Sequence, residues 1–308
     1  MRKITRRTVL TGVGSVALGT GAVITNAKSN NGSTSDDTTV RIKKDDSIAT
    51  SERCRLPQAT IDAAGLEPGH QVRLSYDGAP AVFTVDSSDD KFGYVSSGGR
   101  DRLGVSGGSF EVNIDPMVVD PSLDEKTAAE EGGFLEGLTD HGTSDLIALA
   151  PHGGYIEWGT DSQARHISDQ LEATAWYSAG WWPGGGAYRR WHVTSTDIHP
   201  RSFPVLDDIS DRGFDYAVSF HGWSESHVAV GGGAPDGLRE DIRDGISDIV
   251  DCEVRLASEG PRDGDSPENI VNWLTASGSD GVQIEQPWSV RENHTIGVAD
   301  TVVDIFNE

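Results

Sequence analysis

Short apolar segments punctuated by turn residues run along most of this chain, but their rhythm differs between its two halves. Between residues 56 and 118, short alternating or apolar runs such as HQVRLSY and AVFTVD are separated by Asp-Gly, Gly-Gly and Pro. Alternation of apolar and polar residues over four to eight positions is typical of half-buried strands. Residues 56–118 are therefore predicted to form a small β-rich domain.

From residue 143 onward, apolar strands alternate with segments that read as helices. The runs DLIALA, YAVSFHG, CEVRLAS and GVQIEQP predict strands, and TDSQARHISDQLEA, GLREDIRDGISDIV and HTIGVADTVVDIFNE predict helices. Such alternation predicts a layered α/β/α domain with functional side chains at the carboxyl ends of its strands. Residues 143–308 are therefore predicted to form this domain, and the acidic, glycine-interrupted residues 119–142 are predicted to be a part-helical connector.

The first 27 residues have the features of an export signal. A basic segment with Arg6-Arg7 precedes a glycine-rich, mildly apolar stretch, which ends in small residues near Ala27. This arrangement is typical of a twin-arginine signal, and the apolar stretch is short for a membrane span of ~20 residues. We therefore expect a secreted or cell-surface protein that has no membrane span after signal removal. The polar residues 28–55 are predicted to be a linker.

The charge of the chain is strongly negative. The 25 Lys plus Arg residues face 49 Asp plus Glu residues, which gives a formal net charge of −24. Because the screening length at molar salt is about 3 Å, self-repulsion of this size costs little there. Dispersed acidic residues with few lysines favour a halophilic protein over an acidic mesophilic one. The same charge argues against nucleic-acid binding.

Two cysteines, Cys54 and Cys252, are too few for a disulfide scaffold and lack the spacing of metal ligands. Outside the cell they could pair and tie the early segment to the late domain. They could equally be two separate buried thiols. The sequence leaves both alternatives open.

Ligand-type side chains occur at the ends of three predicted strands. His152 and Glu157 follow the first strand, His221 ends the second and Glu285 lies within the last. Two histidines and a carboxylate that leave one coordination position open are a common catalytic zinc set. A further carboxylate beside that position can take a proton from bound water. The two glycines after His152 would let the chain fold back so that His152 and Glu157 face one point.

Other interpretations of the same residues exist. A single histidine at a strand end is often a hydrogen-bonded structural residue, and Glu157 could cap the following helix. The HGG run that begins at His152 is also similar to the oxyanion loop of esterases, and residues 104–108 match G-x-S-x-G. In those enzymes the oxyanion loop precedes the nucleophile, whereas Ser106 comes first here. Because three separate strand ends carry ligand-type residues, the sequence favours the metal site.

Five motifs in the second half of the chain resemble, in order, those of the poly-γ-glutamate hydrolase family. They are APHGGYIEWGTD, RRWHVTST, VSFHG, PENIVNW and GVQIEQP with Arg291, and the resemblance covers roughly residues 143–308. It implies a three-layer α/β/α domain of the carboxypeptidase type, with a mixed sheet and one zinc ion. It also implies a secreted zinc-dependent amidohydrolase that cleaves the γ-glutamyl linkages of an anionic polymer.

The resemblance further implies roles for individual residues. The zinc ligands would be His152, Glu157 and His221, and the general base would be Glu285. The substrate-binding residues would be His192, Arg291, Asn269 and Asn272. The same zinc site could instead serve a secreted peptidase or amidase that acts on ordinary peptides or cell-wall material. An inactive polymer-binding module ranks last, because no ligand is lost from the sequence.

Overall fold

The computed structural model describes residues 38–143, 145–257, 260 and 262–307. The predicted export signal over residues 1–27 lies outside these residues. The described part of the chain is a mixed α/β fold with two sheets, a closed barrel and a seven-stranded sheet. No helix within it combines the length and apolarity needed to cross a bilayer.

The barrel contains six strands and two short helices. These elements are β1 (Thr38–Lys44), β2 (Arg53–Pro57), α1 (Gln58–Ala63), β3 (Gln71–Tyr76), β4 (Ala79–Ser88), β5 (Gly93–Val95), α2 (Ser97–Leu103) and β6 (Phe110–Asp115). The strands close in the order β1-β5-β2-β4-β3-β6, and the pairs β1–β5 and β2–β4 are parallel. Buried apolar side chains from all six strands fill the interior, as expected of a small closed barrel.

The predicted linker over residues 28–55 is wrong where the structure describes it. Thr38–Lys44 forms β1, which pairs with β5 and β6, and Arg53 begins β2. In β1 only Val40 and Ile42 are buried, and they alternate with polar residues. Two apolar positions in a polar segment are too weak a pattern to predict a strand. The strand β1 forms because closure of the barrel brings it together with strands that are distant in the sequence.

The second sheet and its helices follow the barrel. These elements are α3 (Glu125–Glu131), β7 (Gly133–Thr139), β8 (Leu146–Gly154), α4 (Thr160–Leu171), β9 (Thr174–Trp181), α5 (Ala187–Trp191), a 3₁₀ turn (Pro200–Ser202), α6 (Pro204–Asp207), β10 (Tyr216–Trp223), β11 (Val228–Gly231), α7 (Asp236–Ser247), β12 (Val254–Leu256), α8 (Ile270–Trp273), β13 (Gly281–Pro287), α9 (Trp288–Asn293) and α10 (Thr295–Asn307). The strand order is β12-β11-β13-β10-β8-β9-β7. The four neighbours β13, β10, β8 and β9 are mutually parallel, so their carboxyl ends lie at one edge of the sheet.

Helices and loops cover both faces of this sheet. One core cluster joins the sheet to α4, α7 and α10, and the other joins it to α5, α6 and α8. Every residue of β8 and of β13 is buried, which explains their nearly continuous apolar sequences. The strands and helices predicted after residue 143 are confirmed. The specific likeness to carboxypeptidases stays a prediction.

The predicted connector over residues 119–142 is wrong in one respect. Its first part contains helix α3, but Gly133–Thr139 forms the edge strand β7, which pairs antiparallel with β9. The glycines obscured this strand in the sequence. A Cβ at Gly137 would collide with the ring of Tyr177, so this glycine allows the close packing of a neighbouring side chain.

The two cysteines, which the sequence left undecided, are both free thiols. Cys54 is fully buried in the barrel core. Cys252 precedes β12 in the second sheet and is partly buried. The structure therefore corresponds to two separate thiols.

Arg102 on α2 joins the barrel to the second sheet. Its side chain is only 2% exposed, and the guanidinium donates hydrogen bonds to the carbonyl oxygens of Val82 (2.7 Å), Arg190 (3.1 Å) and His192 (3.0 Å). The first carbonyl belongs to the barrel, Arg190 lies in α5 and His192 directly follows that helix. One buried cation therefore fixes the barrel against the segment that carries His192.

Arg102→Met should destabilise the protein by about 3 kcal/mol, because it leaves buried carbonyl groups without donors. Chemical denaturation would measure the loss. Arg100→Met is the matched control, since Arg100 lies on the same helix but donates to Gly108 within the barrel. It should cost about 1 kcal/mol or less. Equal losses in the two variants would contradict the proposed role of Arg102.

Candidate metal centre and active site

Three adjacent parallel strands carry the ligand-type residues to the same edge of the sheet. His152 lies near the end of β8 and His221 lies in β10. Glu285 lies in β13 directly beside His221, because these two residues are register partners. All three side chains are buried. The adjacent strands thus bring these three residues together at one edge of the sheet.

A local irregularity in β8 directs His152 toward the site. The pairing of β8 with β9 shifts between Ala150 and Gly153. Ala150 packs in the core cluster of α4 and α10, and in a regular strand His152 would point to the same side. Nε2 of His152 instead donates to the carbonyl of Val193 at 2.8 Å, and Val193 belongs to the opposite core cluster. A bulge of this kind re-aims a side chain.

Three ligand-type atoms meet at one point. Nδ1 of His152 lies 3.1 Å from Oε2 of Glu157 and 3.1 Å from Nδ1 of His221. Nδ1 of His221 lies 3.4 Å from the same carboxylate oxygen. Donor atoms on one tetrahedral zinc ion, with bonds of about 2.0–2.2 Å, lie about 3.3–3.6 Å apart. The spacing and chemistry of these three residues therefore fit a metal ion.

Hydrogen bonds on the outer side of the rings orient this donor set. Because the carbonyl of Val193 can only accept, Nε2 of His152 carries a hydrogen, and a neutral ring then turns the lone pair of Nδ1 inward. Nε2 of His221 shares a hydrogen bond of 2.7 Å with Oγ of Ser219. Outer partners of this kind fix the orientation of metal-binding histidines.

The electrostatics of the cluster favour a cation. Burial would raise the pKa of Glu157, but the adjacent His152 and His221 hold that pKa well below its usual range. Burial opposes the charge of His152, yet attraction to Glu157 raises its pKa. The amide of Gly222 also donates to Oε2 of Glu157 at 2.9 Å. Glu157 is thus a buried carboxylate that stays ionised.

His192 lies on the other side of the carboxylate. Its Nε2 is 3.9 Å from Oε1 of Glu157, so His152, Glu157 and His192 form a second set of groups that could hold a metal ion. We favour His221 as the third ligand, because its Nδ1 is closer and approaches the same oxygen as His152. Nδ1 of His192 is held by the carboxylate of Glu52 at 2.7 Å, so only its more distant Nε2 can face the cluster.

A cavity of about 740 Å³ opens beside the cluster, and all the predicted site residues except Asn272 line it. Glu285 lies in its wall, where burial raises the pKa of the carboxyl group. The side chain of Gln283 donates to Oε1 of Glu285 at 3.1 Å. A buried carboxylate with a raised pKa beside a possible metal centre is suited to proton transfer.

Arg291 and Asn269 are held in the cavity wall by hydrogen bonds. NH1 of Arg291 donates to the carbonyl of Trp158 at 2.8 Å, and a Cβ at Gly222 would collide with the guanidinium. The amide of Asn269 donates to Oε1 of Gln283 at 2.8 Å. Both side chains are therefore positioned beside the cavity before any ligand enters.

Asn272 differs from its predicted role in substrate binding. It is fully buried and lies outside the lining of the cavity. Its amide donates to the carbonyls of Gly264 and Ser266, and its carbonyl oxygen accepts from the amide of Gly233. A side chain whose groups are used in this way holds the loop before α8 in place. The prediction failed because the backbone groups that occupy the side chain of Asn272 come from surrounding loops, which the Asn-x-x-Asn spacing does not show.

Two charged residues of the cavity wall were missed by the sequence analysis. Glu52 lies in the segment predicted to be a linker, and Arg262 lies in a loop between β12 and α8. Glu52 lies before the predicted second domain, and Arg262 lies in a polar loop beyond the end of the predicted strand CEVRLAS, so the strand-end argument did not select them. Only the three-dimensional arrangement of the barrel shows that Glu52 reaches the cavity.

Comparison with known proteins gives one family match. The family model for poly-gamma-glutamate hydrolase matches residues 123–296, more than half of the 308 residues. The chain is 29% identical over 158 residues to the UPF0714 protein YndL of Bacillus subtilis (strain 168), a match that covers 51% of this chain and 58% of YndL. It is 33% identical over 132 residues to the SPbeta prophage-derived UPF0714 protein YoqZ of the same strain, which covers 41% of this chain and 44% of YoqZ. The matches thus span about half the length of these curated relatives.

Two solved structures are also similar. A bacteriophage poly-gamma-glutamate hydrolase aligns with a TM-score of 0.47 and 23% identity, over 56% of this chain and 87% of that chain. The zinc-free apo form of YndL aligns with a TM-score of 0.47 and 24% identity, over 57% of this chain and 90% of that chain.

Proposed function

The chain belongs to the poly-γ-glutamate hydrolase family, and from this premise we propose that it is a zinc-dependent amidohydrolase that cleaves γ-glutamyl linkages. One observation carries the proposal. Nδ1 of His152, Nδ1 of His221 and Oε2 of Glu157 converge within 3.1–3.4 Å, with Glu285 on the strand beside His221. The zinc-free form described for YndL supports zinc as the metal.

His152, Glu157 and His221 would hold the ion, which when bound would polarise the scissile carbonyl and lower the pKa of a water molecule toward ~7. Glu285 would accept a proton from the attacking water and later deliver it to the leaving amine. In the net reaction the water oxygen bonds to the carbonyl carbon and the C–N bond breaks. The products are a carboxylic acid and an amine, which ionise in water to a carboxylate and an ammonium group.

Cationic and amide side chains support an anionic substrate. Arg291 and Arg262 lie in the cavity wall with Asn269, and each unit of a γ-glutamyl polymer carries a free α-carboxylate. Arginine suits such groups because its planar donors match the two carboxylate oxygens. The acidic surface, with a net charge of −24, would repel this polymer in dilute salt. At molar salt the repulsion is screened beyond about 3 Å.

Export and adaptation to salt belong to the same proposal. The Arg6-Arg7 segment supports export by the twin-arginine route. The dispersed negative charge supports a halophilic protein. An enzyme placed outside the cell would meet an extracellular polymer directly.

The proposal is tested with two polymers of equal charge and composition. We expect the purified zinc-loaded protein to shorten γ-linked polyglutamate and to leave α-linked polyglutamate intact, with faster cleavage at molar salt than at low salt. Product sizing after timed incubation measures both effects. Equal cleavage of the two polymers would instead indicate a peptidase for ordinary peptides. Failure to cleave the γ-linked polymer at any salt concentration would contradict the proposal.

A further inference from the structure

Glu52, a residue of the barrel segment, reaches into the cavity of the second sheet. It directly precedes β2 and lies outside residues 123–296, the part of the chain that the family model matches. Its side chain is 12% exposed. The carboxylate accepts hydrogen bonds from Nδ1 of His192 (2.7 Å), the amide of Thr194 (3.0 Å) and Oγ1 of Thr194 (2.7 Å). These contacts tie one barrel residue to the segment that carries His192.

The carboxylate of Glu52 is held in its ionised form. Burial raises its pKa, but the hydrogen bonds from His192 and Thr194 outweigh burial and lower the pKa to about 2. The guanidinium of Arg102 lies 3.8 Å from Oε1 and contributes to this effect. An ionised carboxylate can only accept hydrogen bonds, so Nδ1 of His192 must donate. Neutral His192 therefore leaves Nε2 without a hydrogen.

The ring of His192 is restrained by its neighbours as well as by Glu52. Its centroid lies 4.1 Å from that of His152 and 4.4 Å from that of Tyr188. These two rings restrict its tilt, whereas the hydrogen bond to Glu52 decides which nitrogen faces outward. Nε2 consequently faces Oε1 of Glu157 at 3.9 Å, at the wall of the cavity.

We infer that Glu52 is a positioning residue for hydrolysis, contributed by the barrel, which fixes His192 so that Nε2 presents a hydrogen-bond acceptor to the substrate. This inference deepens the proposed function and rests on it. An acceptor beside the metal cluster suits an N–H group of an amide substrate. The barrel is then a part of the active site.

A purely structural role for Glu52 at the junction can be distinguished from its proposed role in positioning His192. Arg53, the next residue, already joins the barrel to the second sheet through an ion pair with Asp197 of 2.9 Å. Asp197→Asn weakens the same junction by the same chemical change, a carboxylate to an amide, without touching His192. It is therefore the matched control for Glu52→Gln.

Glu52→Gln should lower kcat on γ-linked polyglutamate about 10–100-fold, the usual effect of losing an orienting partner, while KM changes less. Asp197→Asn should keep native kcat. Glu52→Asp, which retains the anion, should recover part of the loss, and it also serves if the glutamine variant does not fold. Thermal melting of all variants monitors folding.

A second readout needs no substrate. Long-range ¹H–¹⁵N correlation spectra identify which ring nitrogen of His192 carries the hydrogen, with the signals assigned by their loss in His192→Gln. We expect hydrogen on Nδ1 in the native protein, in Glu52→Asp and in Asp197→Asn, and a mixture of forms in Glu52→Gln. A hydrogen on Nε2 of His192 in the native protein would overturn the inference. So would a Glu52→Gln variant in which both the protonated nitrogen of His192 and kcat are unchanged. If no γ-glutamyl substrate is cleaved, the proposed function fails while the spectra still decide the role of Glu52.

Discussion

Glu285→Gln should reduce kcat about 1,000-fold and leave the metal content unchanged. General acid–base catalysis by a positioned side chain contributes typically 10²–10⁴-fold, and glutamine keeps the size of glutamate but cannot accept and return the proton. Glu285 is buried in the wall of the cavity and lies in register with His221. Because an amide can preserve contact with Gln283, the fold of β13 should survive. Steady-state kinetics on γ-linked polyglutamate and metal analysis of the same preparation measure the two effects.

Glu136→Gln is the control for this substitution. Glu136 is a partly buried carboxyl group whose pKa is also raised by burial. It accepts from Nε1 of Trp176 and from backbone amides of α6, outside the lining of the cavity. Glu136→Gln, when folded, should therefore cleave γ-linked polyglutamate with the native kcat. Full activity of Glu285→Gln would reject the proposed base, and loss of metal from it would make Glu285 a ligand instead.

The positions of the cluster residues were predictable from sequence for a physical reason. Parallel strands bury both faces, so their sequences are continuous apolar runs, and a histidine or glutamate that interrupts or ends such a run stands out. Since the carboxyl ends of parallel strands lie at one edge, His152, His221 and Glu285 could be expected to meet there. The pairing order that makes these strands neighbours is not visible in any one segment.

Features that depend on distant contacts could not be predicted. The bulge that turns His152 toward Val193 leaves no mark beyond the glycines after it. Strand β1 has only two inward apolar residues and exists because β5 and β6 pair with it. Glu52 is an ordinary acidic residue in a polar stretch, and its partner His192 lies 140 positions later. Such roles arise from contacts between segments that are far apart in the sequence, and local patterns of apolar and polar residues do not reveal these contacts.

His152→Ala and His221→Ala should each lose the bound metal, with affinity at least about 100-fold weaker than that of the native protein. Each removes one of three converging donor atoms, and even outer-shell changes typically cost 10–100-fold in metal affinity. Ser219→Ala removes only the 2.7 Å hydrogen bond to Nε2 of His221, so a loss of about 10-fold is expected. Metal analysis of the purified proteins and chelator competition measure these affinities.

His192→Ala separates the two possible ligand sets. His192 approaches Oε1 of Glu157 at 3.9 Å, whereas His221 approaches Oε2 at 3.4 Å beside His152. If His152, Glu157 and His221 are the ligands, the His192 variant should keep its metal and lose only its activity. Retention of metal by His221→Ala together with its loss from His192→Ala would replace His221 with His192 in the ligand set. Unchanged zinc in both His152→Ala and His221→Ala would reject the metal centre, because His152 belongs to both possible ligand sets.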